Sequence, residues 1–175
     1  MPRERNTPNP HAAASCATKL GRLHVSAVLI AAGLLITATC LAAPDYAREK
    51  RWADEVTPGI VVGDAVYLTQ KSGHKFLAIY ADVGRPRAAV ITVHGQGVHP
   101  DWGLIGALRS GLADHGYATL SVQMPVLATD ALREDYFALL PDAADRLQAA
   151  VAFLKAKGHR KIVLACHKYL IIDRL

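Results

Sequence analysis

The longest apolar run in the chain is VSAVLIAAGLLITATCLAA, which spans residues 25–43 without a charge. Basic residues precede this run, and small residues stand near its end at Cys40, Ala42 and Ala43. A basic segment, an apolar core and a small-residue cleavage site, in that order, are typical of a secretory signal peptide. We therefore expect residues 1–43 to be a signal peptide or membrane anchor, with cleavage after Ala42 or Ala43 in the first case.

Two other forms of export stay open for this segment. An uncleaved anchor is compatible with the run, because roughly 20 apolar residues span a bilayer, and the upstream basic residues would keep the N-terminus in the cytoplasm. A lipid anchor at Cys40 is disfavoured by Thr39 in front of it. A buried core helix is disfavoured by Pro44 and by the polar run that follows. The expected location is thus the periplasm or the inner membrane.

After this segment the pattern predicts a polar linker and then alternating strands and helices. Residues 44–60 contain two prolines and many charges, which indicates a linker. Residues 64–81 read as a hairpin, since alternating segments flank the turn sequence KSGH. The continuous β-branched run AAVITV at 88–93 is typical of a strand covered on both faces.

Two helices alternate with the remaining strands. The first predicted helix is capped by Asp101, carries an apolar stripe and stops at Gly116; the stripe is Leu104, Ile105, Leu108 and Leu112. A strand at 117–122 and a loop or broken helix follow. The second helix opens at Pro141 and ends at Gly158, with the stripe Ala143, Leu147, Ala150, Val151 and Leu154. The strand KIVLAC comes last, so the order predicts an α/β fold with a mostly parallel sheet and flanking helices.

Composition removes several classes of protein. With 51% apolar and 20% charged residues, disorder, collagen and coiled coil are excluded. The net charge of +5 comes largely from the N-terminal segment, which leaves the body nearly neutral and gives no reason to expect nucleic-acid binding. Cys166 is the single cysteine of the three outside the first 43 residues, so the mature body has no internal disulfide.

The residues after the run at 88–93 are the candidate functional residues. The strand leads into His94, Gly95, Gln96 and Gly97, so a glycine-flanked turn falls at its carboxyl end, where ligands bind in open α/β sheets. Glycines there leave backbone N–H groups able to face an anion. A turn that uses glycine only for tightness is the simpler alternative. A phosphate loop is disfavoured, because HGQG lacks the glycine spacing and the lysine of known phosphate motifs.

At this point the sequence resembles the α/β-hydrolase superfamily over roughly residues 60–167. The matching segments are VHGQGVHPDW, LADHGYATLSVQMP and DAADRLQAAVAFLKAKG leading to KIVLA. The resemblance is to the N-terminal half of exported bacterial hydrolase-like proteins. It implies a strand order 1, 2, 4, 3, 5, an oxyanion-hole donor at the backbone N–H of Gln96, and a turn shaped by His94 and Gly95.

The same resemblance places the nucleophile elbow, G-x-S-x-G, directly after KIVLA. This chain has Cys166, His167 and Lys168 there, with Leu170 in place of the second glycine. We therefore expect a degenerate elbow, with no intact catalytic residue. The acid and histidine of the triad should follow the nucleophile; Asp173 alone follows here, so we expect the fold to be truncated after its fifth strand and residues 168–175 to be a non-family tail.

Other chemistry at these residues is disfavoured. Cys166 and His167 are neighbours on a strand end, so their side chains point to opposite faces and form no thiol–imidazole pair. Lys168 as a Schiff-base amine needs burial, which the tail does not supply. A metal site would recruit His94, His99 and Asp101, with His115 as a fourth ligand. Those residues lack the helical spacing of known zinc motifs, so we expect no metal and no cofactor.

Two functions remain from the sequence. The first is an exported hydrolase-like protein whose intact relatives cleave a small acyl substrate, an ester or thioester, while this chain is inactive for lack of the triad. The second is a non-catalytic, membrane-attached binding module that uses the loop 94–102, including His99 and Trp102. In either case KIVLAC should form an apolar edge strand open to self-association.

Overall fold

The computed structural model describes residues 43–167, and the segments 1–42 and 168–175 lie outside the described residues. Five strands form one sheet in the order β1-β2-β4-β3-β5. They are listed here: β1 (Asp64–Thr69), β2 (Lys75–Ala81), β3 (Ala89–Val93), β4 (Ala118–Val122) and β5 (Ile162–Cys166). The predicted α/β class, the hairpin and the strand order are confirmed.

The sheet is mixed, whereas the sequence predicted a mostly parallel one. β1 pairs antiparallel with β2, and β2 pairs antiparallel with β4. β3 pairs parallel with both β4 and β5. The hairpin joins the sheet through β2, and this adds the second antiparallel pair. The parallel part thus comprises β3, β4 and β5, whose carboxyl ends lie at one edge.

The prediction of a linker at 44–60 was wrong. Tyr46–Val56 form helix α1, and a short 3-10 helix follows at Thr57–Gly59. Asp45 caps α1, because its side chain accepts a hydrogen bond from the Arg48 N–H at 2.9 Å. The buried face of this polar helix consists of Glu49 and Ala53. The charge of Glu49 is paired inside the protein. The polar composition of residues 44–60 therefore led to the incorrect prediction of a linker.

Helix α2 (Gly103–Asp114) follows β3, and it is not capped as predicted. Trp102 is the N-cap residue and makes no side-chain cap, while Asp101 pairs with Arg109. Gly106 is required, since a Cβ there would lie 2.5 Å from the Asp101 carbonyl oxygen. Leu104, predicted to be on the buried stripe, is 62% exposed. The predicted stop is confirmed by the left-handed Gly116, at φ 82°.

Helix α3 (Leu140–Ala156) follows a 3-10 helix at Arg133–Leu139. It covers one face of the sheet, and its buried residues are Ala143, Arg146, Ala150 and Leu154. Alternate strand residues complete this core, among them Ala78, Tyr80, Ile91, Val93, Leu120 and Val122. Leu147 and Val151 pack at its margin and are partly buried. The predicted stripe is thus nearly right, except that it omits Arg146.

The two sides of the parallel region differ in burial. Every residue of β3 and β4 is buried, whereas β5 is the edge strand, with Val163 45% and Leu164 50% exposed. Among the described residues no strand pairs with its outer side.

Within residues 43–167 every helix is too short or too polar to cross a membrane.

Candidate functional site

The candidate site lies where β3 and β5 end side by side. The parallel register pairs Val93 with Cys166, and the His167 N–H donates to the Val93 carbonyl oxygen at 2.9 Å. The loop 94–97 leaves β3 at that point. The fold therefore brings together the two segments that the sequence singled out, the glycine turn and the position of the nucleophile elbow.

His94 is fully buried and fastens the start of the loop. Its Nδ1 lies 2.7 Å from the Gly95 carbonyl oxygen, and its Nε2 lies 2.9 Å from the backbone nitrogen of Met124. A carbonyl accepts and an N–H donates, so Nδ1 carries the proton and Nε2 is the acceptor. Desolvation lowers the pKa of His94 to about 3, which keeps the ring neutral at physiological pH.

This contact determines where the Gln96 N–H points. The Gly95 carbonyl faces the His94 ring, and in a trans peptide the following N–H points the opposite way. The N–H of Gln96 is therefore turned away from the ring, and it donates to no residue among 43–167. Gln96 itself is half-buried. The loop thus presents one backbone donor beside the end of β5.

Gly97 completes the turn in a conformation that favours glycine, at φ 70°. Its carbonyl oxygen accepts a hydrogen bond from Arg48 Nη2 at 3.1 Å. A Cβ at this position would lie 3.6 Å from the Tyr136 hydroxyl and 4.0 Å from Arg48 Nη2. A side chain here would therefore enter the space between Arg48 and Tyr136.

A buried ionic network lies beneath the loop, and the sequence analysis missed it. Arg146 Nη1 lies 3.0 Å from Glu49 Oε2 and donates to the Gln123 carbonyl at 3.0 Å. Arg146 Nε donates to Gln70 Oε1 at 3.1 Å. Burial raises the pKa of Glu49, while Arg146 opposes that shift. The signal for this network was an arginine on the apolar stripe of the second helix.

The network reaches the loop through the residues that follow β4. The Gln123 side chain lies 3.2 Å from His94 Nε2 and donates to the Met124 carbonyl at 2.8 Å. Glu49 Oε1 accepts from the Val126 N–H at 3.3 Å. The contacts of Gln123 and Glu49 thus fix residues 123–126 in place. The Met124 N–H therefore stays in position to donate to His94 Nε2.

The far end of the loop is fixed by a second buried arginine. Arg109 of α2 donates through Nε to Asp101 Oδ1 at 2.6 Å, and Nη1 donates to the Val62 carbonyl. Arg109 is 3% exposed. An arginine between the apolar positions of the first predicted helix was the available signal. Asp101 therefore ties the loop to α2 rather than capping that helix.

The elbow position is far less organised. The Cys166 thiol is free, and the residue is exposed. Partial burial desolvates the sulfur atom and raises its pKa, so Cys166 is not a thiolate at neutral pH. Neither Cys166 nor His167 forms a side-chain hydrogen bond with another described residue. Lys168 lies outside the described residues. Up to His167, the end of β5 supplies no activated nucleophile next to the loop.

The four residues of the alternative metal site do not come together. His94 is occupied by the contacts above, and His115 Nδ1 lies 2.7 Å from the Gly111 carbonyl at the end of α2. His99 packs edge-on against Trp102, with ring centroids 5.4 Å apart. No group of three or more metal-ligating side chains is present among residues 43–167.

These features define an α/β protein with a mixed five-stranded sheet, flanking helices and a glycine turn at the end of a buried parallel strand. The chain belongs to the family described as "protein of unknown function (DUF3530)", whose sequence model matches residues 47–144. The match begins in α1 and ends early in α3, and it includes the whole loop.

Solved esterases are among the similar structures. The Pyrococcus furiosus esterase Pf2001 is 19% identical with a TM-score of 0.46. Est1E from Butyrivibrio proteoclasticus is 22% identical with a TM-score of 0.43. Each similarity covers 59% of this chain and 40% of the esterase, so this chain spans well under half the length of either. Among curated proteins, none is similar to this sequence.

Proposed function

We propose that loop 94–97 is an anion-binding element of the kind that stabilises the oxyanion of an ester or thioester during acyl transfer. The observation that carries this proposal is the orientation of the Gln96 N–H, set by the contact of His94 with the Gly95 carbonyl. Preorganised backbone donors of this type stabilise developing negative charge because they need no reorganisation during the reaction. The neutral ring and the buried arginines keep the donor in place.

We further propose that this chain does not turn over esters by itself. Oxyanion stabilisation needs an attacking group, and Cys166, His167 and Lys168 occupy the positions of the elbow. The raised thiol pKa and the lack of a partnered base support this. The chain is then a hydrolase-like protein that retains the anion-binding loop without an activated nucleophile at the elbow position.

The anion-binding proposal is tested by amide NMR on the full chain in detergent micelles. Acetate, a carboxylate that resembles the product of acyl hydrolysis, is titrated against chloride at equal ionic strength. The Gln96 amide should shift saturably with acetate and not with chloride. Gln96→Ala retains the N–H and should bind, whereas Gln96→Pro removes it and should not, with the Gly97 amide as the probe common to both variants. An unmoved Gln96 amide in the unsubstituted protein would overturn the proposal.

The lack of turnover is tested separately. The full chain should hydrolyse p-nitrophenyl butyrate no faster than Cys166→Ser or buffer does. Mass spectrometry after mixing should show no added butyryl group. An acyl adduct on any residue would contradict this part of the proposal and leave the anion-binding part standing.

An observation also favours a second function, a binding surface at loop 94–102. Trp102 is 57% exposed rather than packed beneath the loop, and it contacts His99, which in turn contacts Trp52. Exposed aromatic side chains are enriched at the centres of interfaces. A protein partner of the full chain should then be lost with Trp102→Ala and kept with Leu132→Ala, which alters another exposed apolar residue. Equal retention by both variants would exclude this function.

We propose that the site lies outside the cytoplasm, because the apolar run at 25–43 and its basic flank are typical of an export signal. Alkaline phosphatase fused after residue 167 should be active in a bacterial host. Removal of residues 1–43 from the same fusion should abolish that activity, and an active truncated fusion would contradict the assignment.

A further inference from the structure

Among the described residues, Arg48 is the one whose cationic side chain donates a hydrogen bond to residues 94–97. The helix start that carries it is strongly fixed. The Asp45 N–H donates to the Val126 carbonyl at 2.7 Å, and the Asp45 side chain caps the Arg48 N–H. Glu49, the residue after Arg48, accepts a hydrogen bond from the Val126 N–H. Arg48 therefore approaches the loop from a rigid base.

The guanidinium joins two segments that lie far apart in the sequence. Nη1 donates to the Leu127 carbonyl at 2.7 Å, and Nη2 donates to the Gly97 carbonyl at 3.1 Å. The group also stacks over the Trp52 ring, 4.5 Å from its centroid. A planar fork with several donors can make these contacts at once, which the single ammonium of a lysine cannot.

The positive charge of Arg48 forms no ion pair with a described carboxylate. Both hydrogen-bond acceptors are neutral carbonyl oxygens, and no carboxylate lies within ion-pair distance of the guanidinium among residues 43–167. Arg109 and Arg146 differ in this respect, because each pairs with a carboxylate. The loop thus lies beside a guanidinium that no ion pair neutralises directly, and a positive charge there favours a bound anion.

We infer that Arg48 is a positioning residue of the proposed anion site, and that its charge makes the site selective for anionic acyl groups and carboxylates. His94 fixes the Gly95–Gln96 peptide by a hydrogen bond to the Gly95 carbonyl. Arg48 fixes the Gly97–Val98 peptide by a hydrogen bond to the Gly97 carbonyl. The loop is then held at both ends of the turn. This inference rests on the proposed function for its ligand, but the loop contact itself can be tested without any ligand.

The contact is tested by amide NMR relaxation on the full chain in micelles. Arg48→Met should lower the order parameters of the loop amides 96–98 from the rigid range near about 0.85 to below about 0.6, since a charge-assisted hydrogen bond to the loop is lost. The matched control is Arg51→Met, which removes the same charge from an exposed position of the same helix. Amides of β3 should stay rigid in both variants. Equal loop order parameters in the two variants would overturn the positioning role.

The charge is tested by acetate titration of the same proteins. Acetate should bind Arg48→Met about fivefold more weakly than Arg51→Met. Arg48→Lys keeps the charge without the fork, so it should retain most of the affinity while its loop amides show lower order parameters. Equal affinity of the two Met variants would overturn the selectivity. If the unsubstituted protein binds no acetate, the proposed function fails, while the relaxation experiment still decides the role of Arg48.

Discussion

The ends of β3 and β5 lie side by side in the same sheet, yet they are built very differently. At the end of β3, His94 is fully buried, its ring is hydrogen-bonded on both nitrogens, and a buried ionic network supports it. At the end of β5, Cys166 is exposed and free. The proposed anion-binding loop is thus preorganised, while the end of β5 offers no activated group up to His167. Substitutions at the end of β3 should therefore lower the free energy of unfolding much more than substitutions at the end of β5.

The largest effect should come from the network under the β3 end. Arg146→Met leaves the buried Glu49 without its arginine and with His74, 3.4 Å from the same carboxylate oxygen, as the remaining ion-pair partner; this should lower the free energy of unfolding by about 3–5 kcal/mol. Arg160→Met changes an exposed arginine beyond the same helix and should cost under about 0.5 kcal/mol. Urea unfolding of the full chain in micelles gives both values. Similar losses in the two variants would mean that the network does not stabilise this end.

Strands β3 and β5 can be compared directly through two residues that lie opposite each other in the sheet. Ile91 of β3 pairs with Leu164 of β5, and they are 1% and 50% exposed. Ile91→Ala should cost about 2–4 kcal/mol because it leaves a cavity, and Leu164→Ala should cost under about 1 kcal/mol. The same urea titrations measure the difference. Equal costs would show that β5 is as buried as β3 and would break the comparison.

The neutral state of His94 predicts a pH dependence. Its folded pKa is about 3, below the unfolded value near 6.5, so the unfolded state binds more protons between these limits. The stabilisation is full above about pH 6.5 and is lost as pH falls toward 3. Between pH 7 and 5 the unsubstituted protein should lose about 2 kcal/mol more stability than His94→Asn. Parallel losses in both proteins would show that His94 titrates normally.

The smallest effect should come from the elbow position. Cys166→Ser should change the free energy of unfolding by under about 0.5 kcal/mol, since the thiol is exposed and unbonded. Because its pKa is raised, alkylation by iodoacetamide at pH 7 should be slower than that of free glutathione. Faster alkylation would indicate a thiolate and a functional β5 end.

The position of the loop could be predicted from the sequence because local signals determined it. A continuous β-branched run predicted β3, and glycines after it predicted the turn. The resemblance supplied the strand order, and parallel pairing then brought Cys166 beside the loop. These predictions depend on periodicity and turn chemistry, both of which a short segment carries.

The supports of the loop could not be predicted in the same way. Glu49 and Arg146 are in contact but lie far apart in the sequence, and no local pattern pairs them. Periodicity assigns charged residues to solvent, so the helix containing Glu49 was predicted to be a linker. Arg109 and Arg146 interrupt apolar stripes, and that interruption was the one available indication of buried charge.

The central claim is that a neutral, buried His94 orients the Gln96 N–H. Nitrogen NMR of the His94 ring in the full chain tests it most directly. The account predicts a protonated Nδ1 and an unprotonated Nε2 that persist unchanged from pH 7 to pH 5. A ring protonated on Nε2, or one that becomes an imidazolium over that range, would contradict it.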